Sequence, residues 1–287
     1  MNVRVYSTWA ELETVVCDRP DVFTPPPLAP GAIPVVIDVL RATSTIVSAI
    51  EAGATEIVPV ESVEEAFAWR TRDPLAVLGG ERVAAKVAGF DLGNSPREYL
   101  PATVGGRRVV FTTTNGTRAL ACAHRVARLT AEADVATDAA GGVLCASFLN
   151  LDAVVERLQQ LRRDVLVVCA GTYGCLSADD LLVAGAIVSL LADGPGGNRA
   201  DLAPGGAADR RRMGGEDRTT WDVDGDLSAV AEAWYRRHAF DLARGLAATV
   251  HARALERLGH GEDVAFCGRR GVSATVPVYD GETIRSR

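Results

Sequence analysis

Thr112-Thr113-Thr114-Asn115-Gly116-Thr117-Arg118 follows the run Arg108-Val109-Val110-Phe111 and precedes a helical pattern. Asp38-Val39-Leu40-Arg41-Ala42-Thr43 stands in the same relation to Val35-Val36-Ile37. Strand-to-helix corners of this kind present backbone N–H groups and hydroxyls at a helix N-terminus, where anions bind. One corner carries an aspartate and an arginine; the other carries hydroxyls, an amide and a second arginine. They read as two walls of one anion site at the carboxyl ends of strands in an α/β protein.

The surrounding pattern supports that fold. Pro34 to Leu40 and Asp164 to Ala170 are near-continuous apolar runs, as expected of strands buried on both faces. Val3 to Tyr6 reads as an edge strand, and Glu56–Val60, Ala76–Leu78 and 107–113 as further strands. Helical spacing predicts helices over 42–52, 62–70, 117–124, 152–161, 177–191 and 227–258, the last with a break. Ser62 and Ser95 stand as N-caps with Glu three positions on, and Pro96 follows Ser95 at the first helical position. Val126–Thr130, Val143–Phe148, Val264–Cys267 and Thr275–Tyr279 read as strands, and the Pro-rich 19–34 and Gly-rich 193–226 as loops. Alternating strands and helices predict a three-layer α/β/α fold with a mainly parallel sheet. A strand, corner and apolar helix at 35–52 is echoed at 165–191, so two α/β halves are expected, residues 1–140 and 141–287.

Composition sets the bounds. A chain of 287 residues can bury a substantial core without disulfides. The net charge of -7 argues against a nucleic-acid partner, yet a local arginine cluster can still hold a small anion. Six cysteines without a CxxC pair, and no signal peptide, read as reduced thiols in a cytoplasmic protein. The longest apolar stretch, Leu181 to Ala192, is too short to span a membrane. The apolar helices 42–52 and 181–192 leave two coverings open, the chain itself or a second copy in a homodimer.

Four corners, at 38–43, 79–95, 112–118 and 170–180, lie where open parallel sheets bind ligands. Arginines grip phosphate or sulfonate oxygens in pairs, and hydroxyls and amides fill the remaining acceptors. The carboxylates suit Mg²⁺, which prefers oxygen ligands and bridges to phosphate. Each element also has a structural reading. Asp38 can cap a helix, Ser95 is a good N-cap, the threonines suit a strand, and acids at 179 and 180 favour a helix's first turn. Several chemistries are unsupported. There is no GxxxxGK(S/T), GxGxxG or GxSxG motif, and no HxH or HExxH spacing. Cys175 stands where a cysteine-based phosphatase would need arginine, and Leu40 where an aspartyl-phosphate enzyme would need its second acid.

The blocks Val36–Ser44, Gly79-Gly80-Glu81-Arg82, Gly89-Phe90-Asp91, Asn94-Ser95-Pro96, Thr112–Arg118, Ser147–Asn150, Ala170-Gly171-Thr172 and Ser177–Asp180 resemble the 2-phosphosulfolactate phosphatase family. Residues 126–146 and 193–226 are longer than the family pattern. The resemblance implies an α/β/α, Mg²⁺-dependent hydrolase of phosphate monoesters of 2-hydroxycarboxylic acids. The family substrate is 2-phosphosulfolactate, converted to 3-sulfolactate and phosphate on the way to coenzyme M. On this reading Asp38, Arg41 and Arg118 are catalytic. Asp38, Glu81, Asp179 and Asp180 are candidate Mg²⁺ ligands. Thr43, Glu81, Arg82, Asn94, Ser95, Thr113, Thr114, Asn115, Gly116, Gly171 and Thr172 hold the small anionic phosphorylated substrate. Water is expected to attack directly. The competing readings are a phosphatase for another phospho-hydroxyacid or a sugar phosphate, and a non-catalytic anion-binding module.

Overall fold

The runs at 33–37 and 165–169 form neighbouring parallel strands in a computed structural model that describes residues 1–18, 31–130, 142–194 and 221–286. The strands are β1 (Asn2–Tyr6), β2 (Ile33–Ile37), β3 (Glu56–Pro59), β4 (Val77–Arg82), β5 (Ala85–Lys86), β6 (Arg108–Thr112), β7 (Val143–Ala146), β8 (Val165–Cys169), β9 (Asp222–Asp224), β10 (Pro277–Tyr279) and β11 (Ile284–Ser286). The helices are α1 (Trp9–Asp18), α2 (Ala42–Glu51), α3 (Val63–Arg72), α4 (Pro101–Val104), α5 (Gly116–Thr130), α6 (Leu151–Leu161), α7 (Ala178–Asp193), α8 (Asp226–His238), α9 (Leu242–Ala247), α10 (Val250–Arg257) and α11 (Gly261–Cys267).

Among the described residues the strands make one sheet, ordered β5-β4-β6-β3-β11-β10-β7-β2-β8-β1-β9. Pairing is mainly parallel, with antiparallel contacts at the β10–β11 hairpin, its joins to β7 and β3, and β4–β5. Side chains alternate as a doubly buried sheet requires. Val35, Ile37, Val165 and Val167 enter one core with α6 to α11, while Val36, Leu166 and Val168 enter another with α1, α2 and α5. The fold is therefore three-layered. No helix of the described residues is long and apolar enough to cross a membrane.

The sheet curls. In sheet order β6 and β2 stand five places apart, which on a flat sheet would be roughly 24 Å. Yet a Cβ on Gly116, just beyond β6, would come within 2.8 Å of Asp38 Oδ2, just beyond β2. Ile57, Val77, Val109 and Phe111 of one wing share a core with Val36, Cys145 and Val168 of the other. Helices α2 and α5 fill the space between the wings, and the β10–β11 hairpin is the fold line.

Several expectations change. Val126–Thr130 continues α5, because Ala119, Leu120, Ala123 and Val126 make one buried helical face. Val264–Cys267 belongs to α11, with the acids Glu262 and Asp263 in its first turn. Strand β1 is internal, since β9 pairs outside it. The helix predicted after Ser95 is only a 3-10 turn at Pro96–Glu98, and Ser95 makes no capping bond. The helical stretch from 227 is three helices. The Gly-rich loop lies mostly, and the Pro-rich loop partly, outside the described residues. Helix α7 is covered within the chain: at Gly185 a Cβ would meet the Ala231 carbonyl at 1.9 Å, so only glycine allows α8 this close.

Candidate active site

Asp38 follows β2 and closes the first turn of α2. Its Oδ1 accepts the Ala42 N–H at 3.1 Å, and its own N–H donates to Thr43 Oγ1 at 3.1 Å. Its Oδ2 takes no hydrogen bond from the described residues and lies beside Gly116 at the N-terminus of α5. Burial lifts the Asp38 carboxyl to about 6, opposed by the Ala42 N–H and His251 and aided by the nearby charges of Glu81 and Asp179. The N-termini of α2, α5 and α7 thus meet around one space, an arrangement that favours anions.

That space is a cavity of about 520 Å³. Its polar lining comes from Asp38, Arg41, Glu81, Asn94, Thr114, Asn115, Thr172, Ser177, Asp179 and His251. The curled sheet brings all four corners in, 79–95 through Glu81, Val83, Ala84 and Asn94. Glu81 is a buckle. Its Oε1 accepts the Thr114 N–H and its Oε2 the Ala84 N–H, each at 2.8 Å. Asp179 is held on both oxygens, by Ser177 Oγ and by His251 Nδ1 at 3.1 Å. Ser177 Oγ in turn lies 3.0 Å from Thr172 Oγ1. Burial would lower the His251 pKa, but Asp179 and Asp38 outweigh it and raise the group above its ordinary value.

Other expected site residues sit elsewhere. Arg118 is exposed on α5 and does not line the cavity. Arg82 donates to Thr112 Oγ1, the Glu61 carbonyl and the Glu81 carbonyl, so its guanidinium is a strut behind the corner. Asp180 accepts the Val39 and Gly171 N–H groups and ties two corners together from beneath. Burial first, then Asp179 and Asp38, push its carboxyl well above the usual range. Thr113 Oγ1 accepts the Thr117 N–H at the start of α5. Gly171 holds a positive φ of 71°, and a Cβ there would strike the Cys175 carbonyl at 2.6 Å. Ser95 Oγ donates to Asp263 Oδ1 at 2.6 Å. Cys169 ends β8 inside the core, its thiol raised well above the usual value by burial and then by Asp180 and Asp179.

Two residues carried no local sequence signal. Asp263 on α11 receives Arg41 Nη1 at 2.6 Å, while Arg41 Nη2 donates to the Ala84 carbonyl at 3.2 Å. His251 on α10 fixes Asp179. Both come from the stretch beyond residue 226, which the sequence marks only as helix and short terminal strands.

The donor set can be tested against Mg²⁺. Among the described residues no three His, Cys, Asp or Glu side chains converge tightly enough to hold a metal unaided. Mg²⁺ commonly takes only one or two carboxylates and completes its shell with water and substrate phosphate. Asn94 Oδ1 and Thr114 Oγ1 are buried and have no hydrogen-bond partner among the described residues. Buried polar atoms are seldom left so unless something binds them. Asp38 Oδ2 with these two orphans is an all-oxygen set that fits Mg²⁺ with a phosphate ester, while Glu81 and Asp179 stand beside it with both oxygens already hydrogen-bonded.

The family model for 2-phosphosulpholactate phosphatase matches residues 24–282. A Thermotoga petrophila protein named "Probable 2-phosphosulfolactate phosphatase" is 39% identical over 243 residues, 85% of this chain and 87% of its own length. One of the same name from Symbiobacterium thermophilum is 38% identical over 257 residues, 88% of this chain and 94% of its own. Another, from Clostridium acetobutylicum, is 33% identical over 252 residues, 87% and 91% of the two chains.

Proposed function

This chain belongs to the 2-phosphosulpholactate phosphatase family, a family of phosphoric monoester hydrolases, and on that footing we propose that it hydrolyses phosphate monoesters of small 2-hydroxycarboxylic acids with Mg²⁺. The relatives' names point to 2-phosphosulfolactate, giving 3-sulfolactate and phosphate. The observation that carries the reading is the pair of orphaned oxygens, Asn94 Oδ1 and Thr114 Oγ1, in a cavity that also holds Asp38 Oδ2.

Asp38 is the principal ligand for the cation, with Asp179 and Glu81 beside it. When bound, Mg²⁺ supplies positive charge against the phosphate oxygens, which three carboxylates would otherwise repel. The chain's own groups do the rest. The α2, α5 and α7 N-termini and Arg41 hold the phosphate end. Ser177 and His251 keep Asp179 at a fixed angle, and Glu81 locks the 81–84 turn to the Thr114 corner. In the reaction a water oxygen bonds to phosphorus as the bond from phosphorus to the ester oxygen breaks, and that oxygen takes a proton to become the 2-hydroxyl. Water is the nucleophile in this reading because Leu40 stands where a second acid would serve an aspartyl phosphate.

Inorganic phosphate release from 2-phosphosulfolactate and 2-phospholactate, with Mg²⁺ and with excess chelator, tests it. Release that depends on Mg²⁺ supports the proposal. No release from either ester, or release unaffected by chelator, overturns the substrate class or the metal respectively.

A further inference from the structure

We infer that His251 is the proton donor to the departing ester oxygen, with Asp179 as the carboxylate that orients it. This rests on the phosphatase reading above and names the group that completes its last step.

A phosphate monoester passes through a loose transition state in which the departing oxygen gathers negative charge. The 2-hydroxyl of a hydroxyacid is a weak acid, so its oxygen leaves badly unless a proton reaches it. A positioned acid contributes about 10²–10⁴-fold to such a step. Most groups that line the cavity are committed elsewhere. Glu81 and Asp179 accept hydrogen bonds on both oxygens, and Asp38 serves the cation. Arg41 does not release its protons. Tyr173 and Cys175 stand exposed on the 172–175 turn. His251 is left.

Its geometry suits the task. His251 lies in the first turn of α10, which Thr249 caps by accepting the Ala252 N–H at 3.2 Å. The ring lines the cavity, and its side chain is 24% exposed against 1% for Asp179. Nδ1 lies 3.1 Å from Asp179 Oδ2. Asp179 Oδ1 accepts from Ser177 Oγ, which lies 3.0 Å from Thr172 Oγ1. A carboxylate only accepts, so Ser177 turns its hydrogen to Asp179, and Thr172 donates to Ser177. By the same rule Nδ1 carries a hydrogen, which fixes how the ring is turned. The contact works in both directions: His251 steadies Asp179, and Asp179 aims His251. Nε2 makes no hydrogen bond to the described residues and is the ring nitrogen left for a bound ester.

In the step, the bond from phosphorus to the ester oxygen breaks with its electron pair on oxygen, and that oxygen takes the Nε2 proton. The imidazole becomes neutral while Nδ1–H stays on Asp179. The attacking water gives one proton to solvent as its oxygen bonds to phosphorus, and solvent returns one to Nε2. The protein ends the cycle as it began.

The experiment compares kcat, with Mg²⁺ present, for 2-phospholactate and the phosphate ester of trifluorolactate, whose fluorines make the departing hydroxyl far more acidic. His251→Asn keeps a donor near the Nδ1 position for Asp179 but removes Nε2. His251→Gln keeps an N–H near the Nε2 position that can hydrogen-bond but cannot give up its proton. In both variants kcat for 2-phospholactate is expected to fall by about a hundred-fold or more, and kcat for the trifluorolactate ester by less than about ten-fold. Retained turnover of the second ester shows that the site is intact. Equal losses on the two esters in a variant with unaltered near-ultraviolet circular dichroism overturn the assignment. So does near-normal turnover of 2-phospholactate by His251→Gln, which would make the ring a hydrogen-bond partner alone. The unaltered enzyme gives a reading that needs no variant: heavy water is expected to slow turnover of 2-phospholactate more than that of the trifluorolactate ester, and equal slowing overturns the proton transfer. No release from either ester by the unaltered enzyme overturns the phosphatase reading, and this assignment with it.

Discussion

Arg41 Nη1 and Asp263 Oδ2 lie 2.6 Å apart although 222 positions separate them in the chain, and both side chains are only 3% exposed. The pair aims the guanidinium at the cavity from below, and Ser95 shares the same carboxylate. Removing the acid leaves a buried cation alone. Asp263→Ala should therefore destabilise the protein by about 3–5 kcal/mol. Urea unfolding checks this, and a loss under about 1 kcal/mol would mean that the pair behaves as an exposed one.

Asp38→Asn keeps an acceptor for the Ala42 N–H and so should keep the fold. Phosphate release should drop by about a hundred-fold or more, since the charge facing the phosphate end is gone. Near-ultraviolet circular dichroism and a phosphate assay read the two effects separately. Near-normal Mg²⁺-dependent turnover would remove Asp38 from the centre of the site.

Arg118→Ala is a control on the geometry. The side chain is exposed and outside the cavity lining. Because it touches nothing in the cavity, KM should stay within about two-fold of the unaltered enzyme, and as a surface change it should alter stability by no more than about 0.5 kcal/mol. A ten-fold rise would return Arg118 to the substrate.

Gly116→Ala adds a methyl group that would lie 2.7 Å from Ala42 Cβ and 2.8 Å from Asp38 Oδ2. The corner must open, and the carboxylate must shift. Activity is expected to fall about ten-fold or more, because sub-ångström placement governs such sites. Steady-state kinetics beside a melting curve distinguish displacement of Asp38 from general unfolding.

Glu56 ties the fold line together, accepting Arg108 Nε at 2.6 Å and Arg285 Nε at 3.0 Å. Burial pushes its pKa up, but the two arginines outweigh burial and hold it below the ordinary value. A depressed acid stabilises above its unfolded pKa, about 4.3, and loses that contribution as pH falls through the folded value. Glu56→Gln should cost stability at pH 6 and progressively less below pH 4. Urea midpoints across that range check it; a difference that does not shrink in acid would rule the pairing out.

The strands were readable because Val35–Ile37 and Val165–Val168 are apolar without interruption, a pattern few elements share. Short runs misled. Val126–Thr130 and Val264–Cys267 are long enough to look like strands, but only their helical neighbours decide their state. The cavity was half readable. Asp38, Glu81, Asn94 and Thr114 sit at corners, where sequence marks a turn. His251 and Asp263 sit inside helices and reach the site only through tertiary packing, so nothing adjacent to them announces a role. Ser95 shows the reverse error: a residue ideal for capping turned instead toward a carboxylate 168 positions away.

The β10–β11 hairpin spans Pro277 to Ser286 and joins β7 to β3, the seam between the two wings. Since a ribosome releases the amino end first, Asp38 and Glu81 emerge long before the segment that seals their wings together. Until that hairpin has itself left the exit tunnel, the nascent chain holds two unjoined sheet edges, so the corners of the site wait on a segment made long after them.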